Sequence, residues 1–261
     1  AGGYALEHKE FAASDNAMGE VSGVALGLAA LAAREQDLVL NHLEDGTASP
    51  GLVGLLLARA RLLLEAARLD GAEGYQREAA AGLRFSRRTR LAARLHSRLG
   101  IDRYLERELA TRCEMLLVSR IVINGLLQFS EGQLAALLGP RIGAAARDAL
   151  ALRLAATVRS LDALRLQYPD YAEQLTRRFL LLSALRRERI GYERLHAEGL
   201  IGPEVLRELT RDVAERAGRE LRPRLDLKLD TGALVSAVPL FHDLGEAQRA
   251  AIARLMRPAF A

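Results

Sequence analysis

Residues 171–185, YAEQLTRRFLLLSAL, place Tyr171, Leu175, Phe179, Leu182 and Leu185 at intervals of four, four, three and three. That spacing is the 3.6-residue period of an α-helix with one apolar face, while most of the charges lie off the face. Such a seam packs against another helix, either inside the chain or in a second copy of it, so the five residues form a candidate dimer or packing seam. Downstream, Glu198-Gly199-Leu200-Ile201-Gly202-Pro203-Glu204 puts glycine where a helix ends left-handed and proline in the first turn of a new one. A tight helical hairpin is expected, its second helix turning Val205, Leu209 and Val213 inward and stopping before Pro223. Upstream, Leu150, Leu154, Val158, Leu161 and Leu164 predict another one-sided helix, ended at Tyr168-Pro169.

The same pattern extends towards the N-terminus. Residues 17–43 and 51–69 read as a helical hairpin across Asp45-Gly46-Thr47-Ala48-Ser49-Pro50, with a second break over Asp70-Gly71-Ala72-Glu73-Gly74. Gly19, Ser22, Gly23 and Gly27 are small enough to let two helices approach closely. A long helix from about Tyr104 to Gln128 is apolar on nearly all sides over residues 115–127, which places it inside a bundle. Ser130-Glu131-Gly132-Gln133 has the form of a capping box opening a short helix that Gly139-Pro140 ends. Residues 224–230 alternate charged and apolar and are expected to be a linker, because a lone strand has nothing to pair with.

The composition points the same way. Ala, Leu, Arg and Glu dominate and aromatics make up 5%, so the predicted fold class is all-α, a multi-helix bundle with long amphipathic helices and no significant sheet. Three parts are expected: a helical hairpin region over 1–86, a bundle domain over 87–223, and a linker with further helices over 224–261. The net charge is +4, but 33 acids are interspersed with 37 bases, so overall basicity says little about partners. It is locally strong between Arg84 and Arg112, where nine arginines meet three acids. Arg87, Arg90, Arg94 and Arg98 form a candidate basic face there, beside Leu91, Leu95 and Leu99, suited to anionic lipid headgroups or an acidic partner surface, or to a solvated helix face packed on a core. No uncharged stretch exceeds 13 residues, at 21–33 and 46–58, so no membrane-spanning helix is expected. One cysteine, Cys113, allows no intrachain disulfide and suits a reducing compartment.

Val238-Pro239-Leu240-Phe241-His242-Asp243-Leu244, followed by a helix over 246–256, resembles the leading helices of a cyclic-nucleotide-binding domain. The glycine, glutamate and arginine of that family's phosphate cassette have no counterpart before Ala261, so the likeness implies no cyclic-nucleotide binding by these residues. Residues 103–244 as a whole resemble the cytosolic helical region of large sodium/proton exchangers, the plant salt-tolerance and animal sperm-specific types and their bacterial relatives. The helix over 104–128, the run Gln167-Tyr168-Pro169 leading into Leu175 and Phe179, and the hairpin Tyr192-Glu193-Arg194-Leu195-His196-Ala197-Glu198-Gly199-Leu200-Ile201 carry the likeness. In that family the region lies between the ion-carrying membrane domain and a cyclic-nucleotide-binding-like domain, makes dimer contacts and relays regulation. The resemblance therefore implies a regulatory and dimerisation module on the cytoplasmic side of the plasma membrane, partnered by the membrane domain of the same polypeptide. The family's transport aspartate has no counterpart here, and residues 1–85 share no likeness.

Chemistry of other kinds leaves no pattern. His8, His42, His96, His196 and His242 have no metal-holding spacing, and no glycine-rich phosphate loop is present, so neither catalysis nor a cofactor is expected. The alternative class is an all-α nucleic-acid-binding regulator using the arginine-rich helix at 87–98. That helix offers base edges little beyond arginine, Thr89, His96 and Ser97, so nucleic acid is not the expected partner.

Overall fold

The computed structural model describes residues 3–84, 91, 102–220, 235–236 and 238–255, the first helix by its backbone alone as far as residue 21. The helices are α1 Gly3–Glu44, α2 Pro50–Ala81, α3 Asp102–Phe129, α4 Ala135–Leu138, α5 Pro140–Gln167, α6 Pro169–Ala197, α7 Pro203–Glu220 and α8 Glu246–Leu255. Among the described residues there is no strand, so the fold is the all-α one expected. Contacts gather the chain into two units, Ala1–Glu44 with Ser49–Leu83 and Val118–Thr157, and Asp45–Ala48 with Arg84–Leu117 and Val158–Ala261. This division does not follow the contiguous one read from the sequence, because α3 and α5 each contribute residues to both units. The candidate basic face Arg87, Arg90, Arg94, Arg98 and the expected linker at 224–230 lie outside the described residues.

In the first unit, α2 starts where the sequence predicts. Ser49 is extended (φ −78°, ψ 153°) and its hydroxyl accepts from the Leu52 amide, while Pro50 opens the first turn with its preset φ. The expected break at residues 70–74 is instead a kink. Gly71 leaves the helical region at φ 59°, ψ −137°, and the helix resumes to Ala81. Leu28, Leu31 and Val39 of α1, Leu52, Leu56 and Leu63 of α2, Val122, Ile123 and Leu126 of α3 and Leu150 of α5 are buried, each contributing about 1.5–3 kcal/mol of transfer free energy.

The small residues of α1 have a definite partner in this unit. A Cβ on Gly23 or Gly27 would come within 2.9 or 2.6 Å of the Ile142 side chain, so the two glycines form the hollow that this residue of α5 fills. Gly54 on α2 meets nothing within 4 Å. Gly27→Ala should therefore lower stability by about 1–3 kcal/mol through overpacking, whereas Gly54→Ala should raise it by up to about 1 kcal/mol through helix propensity. Urea unfolding of the two variants checks the contrast.

The segment after α3 departs from the capping-box expectation. Ser130 does not open a helix; it is wholly buried in a π-helical turn, Ser130–Leu134, and its hydroxyl donates back to the Leu127 carbonyl at 2.7 Å. Helical structure therefore runs on to Leu138, where Gly139 (φ 94°) ends it. The run Tyr104–Leu138 is thereby long and apolar enough, by length and composition, to cross a membrane, a test that a core helix of a soluble protein also passes. Counting uncharged stretches does not find it, because seven charged residues interrupt the run: Glu106, Arg107, Glu108, Arg112, Glu114, Arg120 and Glu131.

In the second unit the α6–α7 hairpin closes as its sequence dictates. Gly199 takes φ 74°, the Leu200 amide donates to the Leu195 carbonyl, and the Gly199 amide donates to the His196 carbonyl. His196 Nδ1 lies 2.9 Å from the Ile201 carbonyl and so carries the proton, tying the loop to the end of α6. On α7 the inward stripe is Leu206, Leu209 and Val213; Val205, expected inside, is 46% exposed.

Candidate functional site

Two oppositely charged residues occupy core positions of the first unit. On α1 the buried series Leu28, Leu31, Ala32, Val39 includes Glu35, and on α5 the series Ala146, Leu150, Thr157 includes Arg153. Arg153 Nη1 donates to Glu35 Oε2 at 2.7 Å and Nη2 to Oε1 at 2.5 Å, a two-pronged pair almost wholly out of solvent. Nη1 also donates to the Tyr75 hydroxyl of α2 at 3.2 Å. Burial acts to discharge the guanidinium, but Glu35 and Tyr75 hold it above the ordinary arginine range. Burial in turn pushes the Tyr75 phenol up, so it stays neutral. Arg153 Nε has no hydrogen-bond partner among the described residues.

Arg59 lies near the same cluster and serves the end of α2. Its Nη2 donates to the Ala79 carbonyl at 3.3 Å, and a Cβ on Gly82 would come within 2.5 Å of its Nε. A positive charge there meets the negative end of the helix dipole. Beside Tyr75, Ala79, Ala149 and Arg153 lies a cavity of about 140 Å³.

In the second unit, polar side chains clasp the turn after α1. Ser183 Oγ donates to the Thr47 carbonyl (2.8 Å), Arg186 to the carbonyls of Gly46 and Thr47 (2.9 and 3.0 Å), and Arg187 to the carbonyl and carboxylate of Asp45 (both 3.1 Å). These bonds satisfy the carbonyls of residues 45–47, which lie in the turn beyond α1 and take no part in a helix ladder. Glu188 accepts from Tyr192 and Arg216 at 2.7 and 2.6 Å, which joins α6 to α7. These contacts hold backbone and helices together, and none brings a nucleophile to a base.

The seam quoted first is spent inside the chain. Tyr171, Leu175, Phe179 and Leu185 are buried and Leu182 half-buried, with Tyr171 OH donating to the Glu106 carbonyl at 2.7 Å. Over residues 115–127, Leu116, Leu117, Val118, Val122, Ile123 and Leu126 are buried as well. Among the described residues no group of three or more His, Cys, Asp or Glu could hold a metal ion.

Cys113 is buried, and its thiol is pushed up to about 11 by burial and, secondarily, by Glu114. The folded protein keeps the proton that the unfolded chain releases near 9. This contribution is fully present below about pH 9 and is lost as the pH climbs to about 11. The thiol should resist iodoacetamide at pH 8 in the folded state and react at once in urea, which mass spectrometry of the alkylated chain checks.

Sequence reasoning missed Glu35 and Arg153. It drew the α5 stripe through Leu154 and Val158, which are half-buried, when the buried series passes through Arg153 and Thr157. A signal was present: one acid and one base, each on the apolar phase of its own helix. Compared with family models, curated proteins and solved structures, the chain matches none.

Proposed function

We propose that this chain is a non-catalytic, cytosolic regulatory and dimerisation module of a cation/proton antiporter. The observation that carries the reading is the ordered likeness over residues 103–244, whose quoted hairpin coincides with a glycine-closed turn between α6 and α7. The segment likened to the start of a cyclic-nucleotide-binding domain supports it too, with a 3₁₀ turn at Pro239–Phe241 followed by α8.

A dimer contact must use a face that the chain does not bury. On α2, Leu55, Leu62 and Leu69 stand seven residues apart and are 51%, 51% and 83% exposed, the repeat with which one helix pairs with another. Two copies meeting through this face form a self-complementary contact of twofold symmetry. Light scattering of the purified chain should give twice the monomer mass at tens of micromolar, and Leu62→Glu should weaken the dimer at least about tenfold, as a buried unpaired charge does. A strict monomer at high micromolar concentration, or steep salt-dependent binding to duplex DNA, would remove the reading.

A further inference from the structure

The leucines of α2 that stand clear of the chain belong to a longer face. Gly51, Leu55, Ala58, Leu62, Glu65 and Leu69 are all exposed and recur at intervals of four, three, four, three and four, the spacing of a helix that pairs with another. The helix keeps its course from Pro50 until the kink at Gly71, so a partner helix can follow it for roughly 30 Å. Arg61 and Arg68, both exposed, lie along one edge of this face, with Glu65 beside them. Asp70 is already taken by Arg77, whereas Arg61 and Glu65 have no ion pair among the described residues. The opposite edge holds Leu55 and Ala66 and carries no exposed charge before the kink.

Two orientations bring this face against its own copy, and size and charge separate them. In a parallel pair every residue of the face meets itself, so Glu65 faces the partner's Glu65, and the arginine edge lies along the uncharged edge of the partner. An antiparallel twofold brings like edges together instead. With its axis midway between Leu62 and Glu65, Leu69, the most exposed leucine of the face, falls opposite the partner's Ala58, a large side chain against a small one. In the same register Arg61 lies within about 1.5 Å of level with the partner's Glu65, and the twofold repeats both contacts. Exposed ion pairs of this kind add little affinity but decide orientation.

We infer that two copies of the chain pair antiparallel along α2, each seating Leu69 against the partner's Ala58 and pairing Arg61 with the partner's Glu65. The pairing rests on the dimer proposed above and goes beyond it in fixing direction, register and charge partners.

Sedimentation of the whole chain at low salt tests it. Arg61→Glu and Glu65→Arg, both at exposed positions, should each weaken the dimer about tenfold, and the double variant should return to within about twofold of the parent, because exchanging the charges restores both pairs. In a parallel dimer Arg61→Glu would change little and the double variant would recover nothing. Single cysteines give a second measurement, with Cys113 buried and out of reach. Mild oxidation of an equal mixture of Ala58→Cys and Leu69→Cys chains should link unlike chains, identified by intact mass, while either variant alone stays unlinked, its own two cysteines lying about 16 Å apart along the axis. A chain that is monomeric at high micromolar concentration removes the dimer and this pairing with it. A dimer whose double variant stays weak, or whose cysteines link like to like or not at all, leaves the dimer standing and overturns the pairing.

Discussion

Arg153→Met is expected to lower the stability of the first unit by about 3–5 kcal/mol, since it leaves the Glu35 carboxylate buried without its partner. The pair is the most enclosed charge contact described in that unit, with both side chains at 3% exposure or less. Glu35→Leu should cost a similar amount for the mirror reason, stranding the guanidinium. The double variant Glu35→Leu, Arg153→Met replaces both charges by apolar groups of comparable volume and should recover most of the loss, because the burden lies in desolvating an unmatched ion. Tyr75→Phe removes only the 3.2 Å bond and should cost about 0.5–1.5 kcal/mol. Urea unfolding followed by circular dichroism gives all four values. A double variant less stable than either single one would mean that the pair stabilises beyond its own desolvation cost.

What the sequence makes legible is periodicity and punctuation. The turn at residues 45–50, the glycine-closed hairpin after Ala197 and the prolines opening α2, α6 and α7 are local chemistry, and the chain folds there as that chemistry dictates. Local signals fail where tertiary packing decides. Ser130-Glu131-Gly132-Gln133 has the residues of a capping box, yet the preceding helix continues and its serine bonds backwards to Leu127. Gly71 with Gly74 has the composition of a loop, but α2 resumes after a single non-helical residue and buries its own Tyr75 and Ala79. The phase of a stripe is the hardest part to read. Leu154 and Arg153 are neighbours, and only knowledge that Glu35 lies opposite makes the arginine the inward residue. The cavity is less legible still, since it arises from small residues on α2 and α5 that no motif links.

Phe179→Ala, on the seam of α6, should cost about 3–5 kcal/mol, while Leu180→Ala one residue further on should change stability by less than about 0.5 kcal/mol. Phe179 is 5% exposed and Leu180 is 61% exposed, so a rotation of about 100° around one helix separates a core position from a surface one. The comparison also tests how the seam is used. Were Tyr171, Leu175, Phe179 and Leu185 a contact between copies, Phe179→Ala would lower the dimer mass at a concentration where Leu62→Glu did not, and its stability loss would depend on protein concentration. Burial within one chain predicts the opposite: a loss independent of concentration, with the dimer responding to Leu62 alone. Unfolding at two protein concentrations a hundredfold apart separates the two uses of the same apolar stripe.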